Sequence, residues 1–449
     1  MKKLRYFYWL SQSFAKKHFI ILILAAILGA VSYNQSARII KLLPKPKPTT
    51  YVGRVVFDSS LGNLPKDIQI LVSDGLTQLD DTGSPQPDLA RDWQIQDNGK
   101  TYVFHLKDNL TWQDGTPLVA SDIQYSFKDV QIEAPDERTV VFHLQEPFAP
   151  FPNIVSQPIF KRTKTSIFQL INRTDIIGTS NYRITKLSFS GNYLDKITLD
   201  SKTDKRVYRF YTTEKAARTA FKLAEVDVLE DITDPGELVT WNNVTIDRSL
   251  NTSRYLAVFF NTRNQNLTDK SIRQALTYTI PDKPAGDGRA LGPESPKSWA
   301  FNPKVKPYDY SLDTAKSLLE NLQTDFTLEL ITTPTYQALA EKIKTSWEQL
   351  GITVKIKVLN LPDTNNYDAL LVGQQIPQDP DQYLLWHSTQ VGNITGYQNA
   401  KVDKLLEDGR KEVDPAKRKE IYLDFQRFLV EDTPAAFISY LDSVTIKRK

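Results

Sequence analysis

The chain has 449 residues, with 56 Lys and Arg against 53 Asp and Glu, four histidines and no cysteine. That length allows two or three domains with sizeable cores, and the absence of cysteine excludes disulfides, thiolate metal sites, a cysteine nucleophile and a lipidated N-terminal cysteine. Residues 1–50 carry nine basic and no acidic side chains, leaving 47 basic against 53 acidic beyond Thr50, so the remainder is mildly acidic and offers no electrostatic footprint for nucleic acid.

Residues 1–18 are a basic leader whose Tyr6-Phe7-Tyr8-Trp9 suits a membrane interface. Phe19–Val31 is apolar apart from Gly29, and no charge occurs from Phe19 to Ala37. A helix over 19–37 would be roughly 28 Å long at ~1.5 Å per residue, close to the ~30 Å of bilayer hydrocarbon. The expectation is an uncleaved, single-pass signal anchor; the alternative is a cleaved signal peptide with Ala30-Val31-Ser32 at the cut. Residues 38–50 include KLLPKPKPTT, which predicts a semi-rigid proline stalk or a disordered basic linker.

Beyond the stalk, a strand starts at Arg54–Phe57 and a helix is expected over Ile68–Leu79. Asp97-Asn98-Gly99 turns into an alternating strand at Thr101–Leu106, and Asp114-Gly115-Thr116-Pro117 leads to Ser121, which can cap a short helix carrying Ile123, Tyr125 and Phe127. A strand follows at Thr139–Leu144. Thr213 is placed to cap a helix with Ala216, Ala217, Ala220, Phe221 and Ala224 on one face. Thr327–Thr332, a helix over Tyr336–Leu350, Gly351 and the strand Ile352–Val358 make a βαβ unit, which predicts a parallel pair. Asp414-Pro415 starts a helix with Tyr422, Phe425 and Leu429 inward, and two short strands, Ala436–Tyr440 and Val444–Ile446, close the chain.

The order Pro-Asp-Leu-Ala, Trp93, Asp97-Asn98-Gly99, alternating strand, Trp112-Gln113-Asp114-Gly115-Thr116-Pro117, Ala120-Ser121-Asp122-Ile123, Tyr125-Ser126-Phe127 resembles the solute-binding proteins of ABC-type oligopeptide, dipeptide and nickel importers. Tyr255–Asn261 followed by Asp269 and Ile272-Arg273-Gln274-Ala275-Leu276 is a second match. Gly178-Thr179-Ser180-Asn181-Tyr182 resembles a family turn but departs from it at two positions, and the connection after Phe127 is shorter than in typical relatives. The resemblance implies an α/β, two-lobed, periplasmic-binding-protein-like (type II) fold with mixed sheets. Lobe 1 would be 51–255 completed by 434–449, and lobe 2 would be 256–433. It further implies an extracytoplasmic receptor, monomeric, that binds short peptides or a related small solute between the lobes and passes them to ABC permease subunits. A surface-attached binding or adhesion module that keeps the fold without a transport partner is the alternative.

Four histidines, His18, His105, His143 and His387, show no metal-ligand spacing, and the acidic residues nominate no catalytic pair. Neither a metal, a cofactor nor enzymatic activity is expected. The informative stretch is Tyr367–Trp386. In peptide-binding relatives an aspartate four residues before the proline of Asp-Pro fixes the ligand's ammonium; counting back from Pro380 gives Ile376, while gapped alternatives give Gln374 or Gln375. Asp379 is a substitute acid or a turn residue, and Tyr255 and Trp386 are either pocket aromatics or core. With Asn261, these make the candidate ligand residues Tyr255, Asn261, Gln374, Gln375, Asp379 and Trp386.

Overall fold

The computed structural model describes residues 2–42, 47–56, 64–161, 176–191 and 193–449. They fall into two units, Met1–Pro48 and Thr49–Lys449. In the first, helices cover Lys2–Lys17 and Phe19–Leu42. Among the described residues no helix is long and apolar enough to cross a membrane. Composition supplies the reason: only Phe19–Val31 is apolar throughout, and its thirteen residues reach roughly 20 Å at ~1.5 Å each, short of ~30 Å. The anchor expected over 19–37 therefore gains no support from the fold. Residues 43–46 of the stalk, and Phe57, lie outside the described residues.

The second unit is organised by a ten-stranded mixed sheet. Its middle is an antiparallel pair of long strands, Val244–Phe260 and Ala435–Arg448. On one side they extend into Ala369–Gln375, Thr327–Thr332 and Thr353–Val358, the last two parallel as the βαβ pattern predicts. On the other side lie Val228–Ile232, Thr49–Val55, Lys205–Tyr211, Tyr193–Asp200 and Arg183–Ser190. The long pair thus belongs to both lobes. Its register slips between Asn251 and Tyr255 and again between Leu256 and Ala257. On the second-lobe side of the slip, Tyr255, Ala257 and Phe259 enter one core while Leu256, Val258 and Phe260 enter another. Both faces are covered, which is why 255–260 reads as an unbroken apolar run. The first lobe has separate cores, one of them around an antiparallel sheet of Ala90–Gln96, Thr101–Leu106, Thr139–Leu144 and Val130–Glu133.

Three local expectations are corrected. The helix expected at 68–79 spans only Lys66–Val72, and Thr77–Leu79 is a strand. The chain must pass hard against its neighbour here: a Cβ on Gly75 would sit 2.7 Å from Val155 O. The helix expected after Ser121 is a single 3-10 turn, Ala120–Asp122, followed by extended chain. Extension lets Tyr125 and Phe127 stack at 4.9 Å and lets the Tyr125 hydroxyl donate to Val155 O at 2.9 Å. The two closing strands are one, Ala435–Arg448, because it pairs along its whole length with Val244–Phe260.

The motif Ile272–Leu276 has a structural role. Arg273, buried in the helix Lys270–Tyr278, donates to four backbone carbonyls: Leu267 at 2.7 Å, Thr268 at 2.8 Å, Asp432 at 2.6 Å and Thr433 at 3.1 Å. Gln274 adds Glu431 O at 2.8 Å. The carbonyls of Glu431, Asp432 and Thr433 lie at the end of the helix Pro415–Asp432, where Thr433 turns left-handed at φ 53° and sends the chain into the second long strand. An unpartnered buried carbonyl costs on the order of 1–3 kcal/mol. Arg273→Met is therefore expected to lower unfolding free energy by about 3 kcal/mol or more, read as a reduced urea midpoint with unchanged slope.

Candidate functional site

The lobes meet along a seam whose first-lobe wall is the loop Asp80–Ser84. Asp80 Oδ1 accepts from Thr82 N at 2.8 Å, Thr82 Oγ1 at 2.7 Å and Ser84 N at 3.0 Å, which rigidifies the turn and holds its carboxyl below the usual range, the Thr82 hydroxyl contributing most. Gly83 at the tip has φ +83°, and a Cβ there would lie 2.1 Å from Gln378 O of the second lobe. Only glycine satisfies both constraints. Lys66 bridges the seam, donating to Ser156 Oγ at 2.8 Å and to Gln378 Oε1 at 3.0 Å, and burial pushes its ammonium down. Trp299 N reaches back to Thr82 O at 3.3 Å.

Across the seam stands the segment Ile376–Trp386. Asp379 accepts from both terminal nitrogens of Arg418, at 3.0 and 2.5 Å, and from Asp381 N at 2.9 Å. Arg418 lies near the Trp299 and Tyr422 rings, 5.4 and 5.2 Å from their centroids. Burial alone would lower its pKa, but Asp379 and Tyr422 together outweigh burial and the guanidinium is held charged. Asp381 is pushed up by burial in spite of Arg410, whose Nε lies 3.1 Å away but off the hydrogen-bonding direction. Arg410 in turn stacks near Phe148 of the first lobe and Tyr383 of the second, at 5.0 and 4.4 Å.

Behind Asp379 is a buried polar knot. The Glu294 carboxylate, 1% exposed, accepts from Gln382 Nε2, and Gln382 Oε1 accepts from Trp386 Nε1 at 2.9 Å. The Tyr440 hydroxyl donates to Glu294 O at 2.7 Å, whereas the buried Tyr255 hydroxyl has no partner among the described residues. Burial, partly offset by hydrogen bonds from Gln382 and Ser298, raises Glu294 to about 8.

The six residues singled out from sequence are not all neighbours. Tyr255 and Trp386 lie in one core, Trp386 stacked on Phe259 at 6.2 Å. Gln374 and Gln375 pair with Tyr255 and Arg254 at the seam end of their strand, Gln375 exposed. Asp379 is engaged by Arg418. Asn261 lies at the opposite end of the long strand, its amide donating to Tyr367 O at 2.9 Å. Ile376 is buried, with its N–H donating to Ser253 O at 2.8 Å. Sequence reasoning missed Lys66, Glu294, Gln382, Arg410 and Arg418. Arg418 had a signal: the stripe Tyr422, Phe425, Leu429 carried back one turn lands on it. Glu294, between Pro293 and Pro296, had none. Among the described residues no group of three His, Asp or Glu side chains converges as a metal site would require.

Glu294 sets a pH dependence. Its carboxyl titrates near 4.5 when unfolded and near 8 when folded, so between those values the folded state binds more protons than the unfolded state, and stability must fall as pH rises. Glu294→Gln keeps an oxygen for Gln382. In urea titrations across pH 5 to 8 the variant is expected to lose this decline, while the parent chain weakens toward the alkaline end.

A model of the bacterial extracellular solute-binding proteins, family 5 (middle region), matches residues 84–395. The oligopeptide-binding protein AppA of Bacillus subtilis is 25% identical over 494 aligned positions, covering 93% of this chain and 90% of the relative. The probable D,D-dipeptide-binding periplasmic protein DdpA of Escherichia coli is 24% identical, covering 78% of each. Among solved structures, NikZ of Campylobacter jejuni in complex with Ni(L-His) aligns with a TM-score of 0.74 at 23% identity, covering 90% of this chain and 94% of that one. AppA of Bacillus subtilis in complex with a nonapeptide gives 0.68 at 21% identity, covering 90% and 95%. With its two-lobed α/β fold and a match over more than half its length, the chain belongs to the family 5 bacterial extracellular solute-binding proteins.

Proposed function

We propose that the protein receives short peptides, or a closely related solute, in the seam between its lobes and delivers them to the permease of an ABC importer. Family membership and relatives described as binding di- and oligopeptides support the solute class. We assign the lobes as 51–255 with 434–449, and 256–433; the register slip beside Tyr255 supports this division. Membrane attachment through residues 19–37, with the folded unit outside the cell, rests on the apolar run and the extracellular family alone. N-terminal sequencing of protein isolated from its native membranes is expected to find residues 1–18 present. A mature chain starting near Tyr33 would overturn the anchor.

One observation carries a finer statement about the ligand. Where the family pattern places an anchoring aspartate, this chain has the buried Ile376, its near neighbours Gln374 and Gln375 are uncharged, and Asp379 is already neutralised by Arg418. A peptide here is held mainly through its main chain, in the manner of an added strand. Gln374, Gln375 and Asp379 shape the second-lobe wall of this site, with Tyr255 and Trp386 buried in the core behind it. Calorimetry on one peptide with a free and an acetylated N-terminus is expected to give affinities within about tenfold, a gap of about 1.4 kcal/mol. Loss of binding on acetylation would mean that an acid such as Asp381 anchors the amine.

A further inference from the structure

After the helix Lys270–Tyr278 the chain runs through Pro281-Asp282-Lys283-Pro284 and a 3-10 turn at Gly286–Gly288 to Arg289, which bridges to Ser439 on the second long strand. Asp309 and Tyr310 face this stretch, and the space between is an open cavity of about 400 Å³. None of its lining residues belongs to the seam described above.

Two cations line the hollow. Lys283 donates to Thr277 O at 2.6 Å and to Tyr308 O, leaving one of its three N–H groups. Arg289 donates to Phe437 O at 2.9 Å, Ile438 O at 2.8 Å and Pro307 O at 2.6 Å, and its Nε has no partner among the described residues. Among those residues no carboxylate lies within ion-pair distance of either; Asp282 is paired with the exposed Lys342, and Asp309 stands further off. Burial, and then the charge of Arg289, pushes Lys283 down to about 7, and burial brings Arg289 down to about 10.

The backbone is also held against its preference. Asp282, next to Lys283, has φ 56°, and Tyr308, whose carbonyl takes the ammonium, has φ 48°. Left-handed non-glycine residues cost on the order of 1–3 kcal/mol each and cluster at ligand sites. Here they flank two like charges beside an open hollow that Asp282 and Asp309 also line. Asp282 is paired with Lys342 and Asp309 stands beyond ion-pair distance, so a compact anion would complete the pair of cations.

We infer that this hollow binds a compact oxyanion of the phosphate type, held between the remaining N–H of Lys283 and Nε of Arg289. Lys283 offers one donor and Arg289 two, its Nε and the second N–H of the nitrogen that donates to Pro307 O, so the donors arrive from two side chains. Convergence of donors from two separate side chains suits a tetrahedral anion, with acceptors on every side.

Pulse acetylation of the full chain near neutral pH, read by mass spectrometry, tests this at Lys283 in phosphate against chloride of equal ionic strength. Inorganic phosphate is expected to slow acetylation of Lys283 several-fold and leave exposed lysines such as Lys342 unchanged. Protection by inorganic phosphate assigns the free ion, and protection by glycerol 3-phosphate alone assigns a phosphoester. Protection by neither overturns the inference. Asp309→Asn removes, from an exposed position, the acidic charge of the rim that is not already paired with a lysine, so phosphate affinity by calorimetry is expected to rise several-fold; an unchanged affinity counts against the site. Lys283→Gln is expected to abolish binding, and because that variant risks the local fold, the labelling of the unsubstituted chain decides.

Discussion

The rest of the structure depends on the pairing of Val244–Phe260 with Ala435–Arg448. The ladder stands at the middle of the ten-stranded sheet, so the strands on its two sides share one backbone hydrogen-bond network. The chain ends are thereby committed. The C-terminal strand must return after the helix Pro415–Asp432, and the left-handed Thr433, gripped through its carbonyl by Arg273, is what turns it back. The family motif around Arg273 is thus explained by topology, since it secures the point at which a long excursion rejoins the central pair.

The seam is formed by charges that are already partnered. Asp379 with Arg418 and Asp381 beside Arg410 present little unpaired charge to a ligand, and Gln378 and Lys66 meet across the lobes through neutral or singly charged contacts. Buried ion pairs contribute little net stability against their desolvation, so their value here is in orientation. The Arg418 fork fixes the Asp-Pro-Asp corner, and Gln382 ties that corner to Glu294 and Trp386.

Much of the fold was legible wherever a local signal is strong. The strands Thr101–Leu106, Thr139–Leu144 and Thr327–Thr332 follow from alternation, and the caps Thr213 and Asp414 accept the expected backbone N–H groups. Residues 244–253 were not recognised as strand because Asp247, Arg248, Ser249 and Asn251 lie on a half-exposed stretch whose pairing, not its burial, makes it extended. Leu441-Asp442-Ser443 read as a break for the same reason. The polar knot was hidden because its partners are distant in sequence: Glu294 and Gln382 are 88 residues apart, Asp379 and Arg418 are 39. No periodicity reports such a meeting. The aromatic candidates Tyr255 and Trp386 were found by type, but type alone does not separate a cleft wall from the core behind it.

The register slip between Asn251 and Tyr255 has a mechanical consequence. A ladder continuous through two bodies resists twisting in proportion to the bonds that must lengthen together. At the slip, Ser253 N bonds to the Asn251 side chain at 3.0 Å and Ser253 O takes Ile376 N at 2.8 Å, so these groups are satisfied without the opposite long strand. At 252–254 the ladder between the two long strands is interrupted, while Ser253 and Arg254 stay paired with the chain at Gln375 and Ile376. Ile376 is bonded to that same point, so a single backbone hydrogen bond couples the interruption of the central ladder to the segment that carries Asp379.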